Sequence, residues 1–358
     1  MGKQMTPKPT GGARAAFAYI FPAYSHHSGI NIKVAGQLST LRQHYDTRWV
    51  HLQAAPDAHP LIKAVDYLWF HLRAGLEMCR CGQAYIRYNP KVPFLLLYSS
   101  LVSVFKPIYI EHNVKMDQEL AFLGRTMELR LHRLCLFGLK WGRQTHVCVT
   151  KELQEHLVHV GVPGHRVRYC QNGYMAPVMH KSPASTVIEA VQEWRSAYEK
   201  IAIFTGNGYP WHGIDLVQQI LKPYPNVGLI VVGPYDRPSP HEPQWHYTGK
   251  LDTPTLFALY EMADFAIGTF RWDMLAISQG SPLKSREYLA HGLPILINYD
   301  DCAEDFDALK PRLYHYHRQK EAAITGILKD RSDATETQKV ALRLLSWENL
   351  WRQSGIIL

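Results

Sequence analysis

The chain has 358 residues, 46% of them hydrophobic and 20% charged, with a formal net charge of +8. That length exceeds one ordinary core and suits two domains, and the composition excludes a disordered or low-complexity chain. Six cysteines without a CxxC pair, several in apolar runs, argue for reduced buried thiols in a cytosolic protein and against disulfides or a zinc site.

The charge is unevenly divided. Residues 1–180 carry 21 Lys and Arg against 10 Asp and Glu, a net of +11, whereas the remainder carries 18 against 21, a net of −3. Such a half suits an acidic membrane surface or a phosphate-bearing acceptor. Nucleic acid is not an expected partner, because no recognition motif or basic arm accompanies the charge.

The first residues, MGKQMT, fit the loose N-myristoylation pattern. AAFAYIF then reads as a buried strand followed by the helix INIKVAGQLSTLRQ. QAYIRY, PIYIEHN, THVCVT and RVRYCQN read as further strands, with helical character at 92–105 and in KELQEHLVHVGV. The 92–105 run, VPFLLLYSSLVSVF, is too short to span a bilayer, and a soluble chain is expected. RLHRLCLFGLKWGR at 130–143 mixes Leu, Phe and Trp with Arg and Lys, and suits either an interfacial helix or a domain helix with a basic outer face.

The alternation then restarts. APVMHKSPAS is a linker and VIEAVQEWRSAYEK a helix that opens a second series: IAIFTGN, GIDLVQQIL, VGLIVVGP, PTLFALYEMA, DFAIGTF, SREYLAHG and PILINY. The expected fold class is therefore α/β, with two Rossmann-like, doubly wound domains at 1–178 and 179–334 facing each other across a cleft at the carboxyl ends of their sheets. A C-terminal helix over 335–353, with Trp347 and Trp351 on one face, returns toward the first domain.

GSPLKSREYLAHGLPIL at 280–296 carries the clearest chemistry. Ser281 and Pro282 suit the start of a helix whose first turn holds Leu283 and Lys284, and the free amides with the lysine make an anion site. Glu287 lies three residues on, on the same face, placed to accept hydrogen bonds from vicinal hydroxyls. The competing reading is a capped surface helix with an intrahelical Lys–Glu pair. Gly292 stops the helix and Pro294 enters the next strand.

Three stretches in order, TGNGYPWHGIDLV, YTGKLDTPTLFALYEMADFAIGTF and SPLKSREYLAHGLPI, resemble the donor-binding half of retaining glycosyltransferases with the GT-B fold, of the family-four type. WHG, SPLKxREY and the run Tyr299-Asp300-Asp301 resemble a bacterial polysaccharide-biosynthesis subgroup. The first half is similar more loosely, through the Gly29 region, EHN at 111–113, VTKEL at 149–153 and Asn172-Gly173.

The resemblance implies transfer of a sugar from a nucleoside diphosphate to a polysaccharide or lipid-linked precursor, with retention, the leaving diphosphate helping to deprotonate the attacking hydroxyl. His112 would lie beside the transferring sugar, with Asn113 following it. Gly29 would belong to the glycine loop near the donor phosphates. Lys284 with the main chain of Pro282 and Leu283, after Ser281, would hold the diphosphate and Glu287 the ribose. Gly249, Lys250 and Leu251 would line the base pocket, with Asn207, Gly208, Trp211, His212 and Gln279 completing the donor site. No cofactor or metal is expected. Location is expected in the cytoplasm, at the inner face of the cell membrane, with attachment through the basic first half and weakening with salt.

The family pattern is not met everywhere. Asn207 and His212 stand where the family has Arg and Lys, and Gln279 where it has its first glutamate. A His at 212 predicts donor affinity that falls between roughly pH 6.5 and 8, as the free imidazole deprotonates. A non-catalytic descendant that binds a nucleotide sugar or a partner enzyme is the alternative. A nicotinamide enzyme is disfavoured because GNGYPWHG puts Pro and Trp where close approach to a pyrophosphate needs small residues. Metal hydrolysis and Cys/His catalysis lack a compact ligand set: HYH at 315–317 reads as a surface loop and Asp300-Asp301 as an acidic pair without a partner.

Overall fold

The computed structural model describes residues 15–22, 28–55, 57–177, 181–236 and 242–357. The MGKQMT pattern and the domain boundary expected at 178–179 lie outside them.

Apolar runs rich in Val, Ile, Phe and Tyr build two six-stranded parallel sheets, each covered on both faces as such sheets must be. The first contains β1 (Ala16–Phe21), β2 (Asp46–His51), β3 (Gln83–Arg87), β4 (Ile108–His112), β5 (Thr145–Cys148) and β6 (Val167–Tyr169), in the order β2-β1-β3-β4-β5-β6. The second contains β7 (Lys200–Thr205), β8 (Val227–Val232), β9 (Trp245–Gly249), β10 (Phe265–Ile267), β12 (Ile295–Ile297) and β14 (Leu313–His315), in the order β14-β12-β10-β7-β8-β9. A two-residue pair, β11 (Gln279–Gly280) with β13 (Asp300–Asp301), lies apart from both sheets. Each sheet reverses its winding once, between β1 and β3 and between β7 and β10. Open sheets of this kind bind ligands beyond the carboxyl ends of the strands at such a reversal.

The first lobe's helices are α1 (Ser28–His44), α2 (Pro60–Arg80), α3 (Pro93–Val102), α4 (Met116–Phe122), α5 (Thr126–Trp141) and α6 (Lys151–His159). The second lobe carries α7 (Ser185–Arg195), α8 (Ile214–Leu221), α9 (Thr253–Met262), α10 (Leu283–Ala290), α11 (Tyr316–Gln319), α12 (Glu321–Leu328) and α13 (Ala334–Leu344), and α14 (Trp347–Gln353) ends the chain. All six cysteines are free, and five are buried. No helix among the described residues is long and apolar enough to cross a membrane.

The C-terminal segment is two helices rather than one. The chain breaks at Leu345, and Ser346 caps α14 by accepting a bond from the Asn349 amide at 3.2 Å. Trp347, Leu350 and Trp351 then pack into the first lobe's core with Phe17, Tyr19 and Val34, while α13 packs against α10 of the second lobe. The break lets one short segment serve both lobes.

A buried polar network also joins the lobes. The fully buried guanidinium of Arg286 on α10 pairs with Asp301 and donates to Gln171 Oε1 at 2.8 Å, Ser281 Oγ at 2.9 Å and the Asn172 carbonyl at 3.1 Å. Asn172 passes the network on, because its Oδ1 accepts from Lys33 at 2.6 Å and Lys33 pairs with buried Glu111 at 2.9 Å. An unpaired buried charge is far costlier than a paired one. Asp301→Ala is therefore expected to lower unfolding free energy by about 3–5 kcal/mol, read from urea unfolding; an unchanged midpoint would show that Arg286 finds other partners.

Candidate active site between the lobes

The second lobe's reversal point opens after Thr205. Gly206 approaches its neighbours so closely that a Cβ there would lie 2.0 Å from Tyr235 Oη and 2.5 Å from His212 Nδ1. Gly208 has φ +78°, which a side chain would strain. Asn207 is exposed, and its backbone N–H donates to His212 Nδ1 at 3.3 Å, with Tyr235 Oη 2.9 Å from the same nitrogen.

An Nδ1 that accepts from a backbone amide leaves the proton on Nε2. Burial, with nearby Lys284 adding to it, pushes the His212 pKa down to about 3. His212 is thus a neutral prop of the loop, and the pH profile expected from its titration does not follow. Trp211 is buried, stacks on Tyr209 at 4.4 Å and meets Phe122 of α4 edge-on at 5.8 Å, so it contributes to the contact between lobes.

Ser281 does not cap α10. Its Oγ accepts from the Asn172 amide at 2.8 Å and from Arg286. The helix starts after Pro282 without a side-chain cap. Pro282 has no N–H, so the free donors of this turn begin at Leu283 and Lys284.

Half-buried Lys284 donates to the Thr205 carbonyl at 3.2 Å, sits 4.8 Å above the Phe204 ring, and is lowered to about 7 by desolvation. Glu287, buried one turn deeper, accepts from Tyr260 Oη at 3.2 Å and is pushed up to about 7 by desolvation. No ion pair joins the two, so the intrahelical pair of the competing reading is not formed. Two desolvated groups of opposite charge, each holding one neutral partner, are what an anion with neighbouring hydroxyls would satisfy.

Glu287 lines a small cleft with Leu283 and, from the other side, Lys33, Gly173, Tyr174 and Trp347. Gly249, at φ +72°, ends β9 and accepts from the Gly233 amide at 2.9 Å; Lys250 is exposed and Leu251 half-buried.

Across the cleft, His112 ends β4. It is buried, stacks on Tyr88 at 4.8 Å, and its Nε2 lies 3.0 Å from His146 Nδ1. Burial first, then neighbouring histidines, hold it well below its ordinary pKa, so it is neutral. Asn113 accepts from Lys33 at 2.6 Å and donates to Glu111 at 3.2 Å, which makes it part of the interlobe network. Gly29 lies in the first turn of α1, and residues 23–27 before it are outside the described residues.

Gln279 is also committed to the lobe contact. Its Oε1 accepts from the amides of Lys151 at 2.7 Å and Glu152 at 3.1 Å at the start of α6. Glu152 in return accepts from the amides of Ser278 at 3.0 Å and Gln279 at 2.7 Å, and pairs with Lys115.

The acidic pair is not without partners. Asp301 holds Arg286, and Asp300 accepts from Arg318 at 2.6 Å and lies 2.8 Å from His317 Nε2. Asp300, His315 and His317 are the one group with metal-ligand spacing among the described residues. The Arg318 guanidinium bridges Asp300 and Glu304 there and already supplies the positive charge.

The sequence matches no protein-family model and no curated protein. Solved structures do resemble it. HepE of Anabaena in complex with UDP is 12% identical, with a TM-score of 0.60 over 95% of this chain and 98% of that one. Trehalose 6-phosphate synthase of Burkholderia multivorans is 10% identical, with a TM-score of 0.63 over 96% of each chain. WaaG, a glycosyltransferase of lipopolysaccharide biosynthesis, is 12% identical, with a TM-score of 0.59 over 95% and 99%. The fold is GT-B.

Competitive acetylation followed by mass spectrometry reads the Lys284 environment directly. Because only the free amine reacts, its labelling should rise through about pH 7. A midpoint near the ordinary value of about 10.4 would mean a solvated amine.

Proposed function

We propose that this chain transfers a sugar from a nucleoside-diphosphate donor to a polysaccharide or lipid-linked acceptor, with retention at the anomeric carbon. The observation that carries the reading is the uncapped start of α10 with Lys284 and Glu287 desolvated and each without an ion-pair partner at the reversal point of the second sheet. The UDP and UDP-glucose held by HepE support a nucleotide sugar as the ligand of such a site.

In this reading the amides of Leu283 and Lys284, with the Lys284 ammonium, neutralise the diphosphate, and Glu287 accepts from the ribose hydroxyls. Charge that develops on the leaving diphosphate meets donors already in place. The departing phosphate oxygen takes the proton of the acceptor hydroxyl, which attacks from the same face. Neutral His112 stands beside the sugar as a polar wall. The protein's own cation does the neutralising, so turnover is expected to persist in chelator, and an absolute requirement for Mg²⁺ or Mn²⁺ would contradict the site.

Gln279 and Asn207 favour the alternative, a descendant that binds without turning over. Release of nucleotide from UDP-, GDP- and ADP-sugars against a membrane fraction separates the two. Glu287→Ala should weaken nucleotide binding by roughly 1.5–3 kcal/mol, the loss of hydrogen bonds to a charged group, while His112→Ala should mainly lower kcat. Unchanged kinetics in both would remove the cleft from the account.

The pH dependence has two limbs. A diphosphate beside Lys284 raises its pKa above about 7, so the free protein loses a proton that the complex keeps, and this limb of affinity falls as pH rises beyond 7. Ribose hydroxyls lower the Glu287 pKa from about 7, so that limb rises as pH approaches 7 from below and is level beyond it. Glu287→Gln should expose the falling limb alone, and adding Lys284→Arg should flatten it. Calorimetric dissociation constants for UDP between about pH 6 and 8 decide this; a flat curve in Glu287→Gln contradicts the phosphate role of Lys284.

A further inference from the structure

Helices α2, α3 and α5 cover one face of the first sheet, and each has an inward stripe that fills the core: Phe70, Ala74 and Met78 on α2, Leu95 and Leu96 on α3, Cys135 and Leu139 on α5. Folding asks for no second apolar stripe. Each helix nevertheless has one. On α2 it is Leu61, Val65, Leu68, Leu72 and Leu76, spaced by three and four residues and facing solvent, with Trp69 exposed beside Leu68. On α3 it is Phe94, Leu97, Tyr98 and Leu101, continued by Phe105, which is 85% exposed. On α5 it is Leu134, Phe137 and Trp141, the last 77% exposed.

The three stripes form one surface, because the helices lie side by side. Tyr98 of α3 crosses to α2, with its Oη 2.7 Å from Cys79 Sγ, and Ser100 of α3 donates to the Gly138 carbonyl of α5 at 3.4 Å. A contiguous apolar face on this scale marks an interaction site.

Its border is basic. Arg73, Arg130, Arg133, Lys140 and Arg143 have no carboxylate partner among the described residues. The acids of the same helices are engaged: Asp66 accepts from the Gln53 and Ala54 amides, Glu77 meets Arg80, and Glu128 meets Lys91 and Arg125.

We infer that the outer face of α2, α3 and α5 lies in the interface of an anionic bilayer, its apolar stripes among the acyl chains and its arginines at the headgroups. A second copy of this chain fits less well, since a two-fold contact would set the basic border against itself. None of the helices can span, so the chain lies on the membrane. As crossover helices between parallel strands, all three run against the strand direction, which brings their N-terminal ends to the side where the cleft opens. A lipid-linked acceptor would reach the cleft from there. The inference deepens the acceptor side of the proposed function and is independent of its donor chemistry. It also changes the expected response to salt: attachment by charge alone is released by salt, whereas an inserted apolar face is not.

Flotation with vesicles of phosphatidylcholine, alone or with about 30% phosphatidylglycerol, tests it. The parent chain should float with the anionic vesicles and stay bound when salt is raised to about 0.5 M, where charge is screened within a few ångströms. Trp69→Glu with Phe105→Glu should reduce partitioning at least about tenfold with melting temperature and circular dichroism unchanged. Arg130→Glu with Arg133→Glu should abolish the preference for anionic vesicles. Three results would overturn the inference: full release by salt, undiminished flotation of the Trp69/Phe105 variant, or a parent dimer that this variant dissociates without any vesicle binding. Failure of the parent to bind UDP would sink the donor reading and leave this one untouched.

Discussion

Arg286 is a full positive charge with no exposed surface, and the arrangement of the lobes follows from how it is satisfied. Its donors reach Asp301 in its own lobe and Gln171 and the Asn172 carbonyl at the end of the first. Asn172 touches Lys33, and Lys33 touches Glu111, whose carboxylate also accepts from Gln37 and Tyr85. Burial alone would raise the Glu111 pKa, but Lys33 and Arg87 outweigh it and hold the carboxyl well below its ordinary range. Such a chain of buried charges is stable only when every member is in place, so it fixes one approach of α10 to the first lobe.

That constraint explains why residues expected in the donor site are found in other contacts. Ser281 is drawn into the network, and the start of α10 is left without a cap. Gln279 docks on the amides of α6, and Glu152 on the amides of β11. These contacts turn the uncapped amides, Lys284 and Glu287 toward the opening between the sheets. The desolvation of the last two is a consequence of the same packing, and it makes an anionic ligand with hydroxyls the natural partner of the site.

The alternation of apolar strands and helices was legible over most of both lobes, because parallel strands buried on two faces leave runs such as IAIFT and VGLIVV. β2, with the sequence DTRWVH and mostly outside the core, has no such run and is not legible in the sequence; neither is β9, nor β14, whose His315 is buried at the strand's end rather than in the surface loop that HYH suggests. Lys284 and Glu287 could be placed from helix spacing alone. Arg286 lies inside SPLKSREY without a role that the sequence alone assigns, and Asp301 reads there as half of an acidic pair without a partner, since a charge looks solvated until its distant partners are known. His212 eludes the sequence for the same reason: its pKa is set by burial first and then by Lys284, neither of which a local pattern reports. The apolar outer stripe of α2 is visible in PLIKAVDYLWFHLRAGLEM once the inward stripe is known, because both have helical spacing and only the fold tells them apart.

The lobe contact, the desolvated pair on α10 and the apolar face of α2, α3 and α5 are the three observations behind the proposal of a chain that accepts a nucleotide sugar from water and an acceptor from a membrane. Its central claim is transfer without inversion. A proton NMR time course of the anomeric signals, recorded from the first turnovers with an α-linked nucleotide sugar that the chain uses, tests that claim most directly. The account predicts that the first product signal has the small coupling of an α-anomer. A β-anomer appearing first would contradict it.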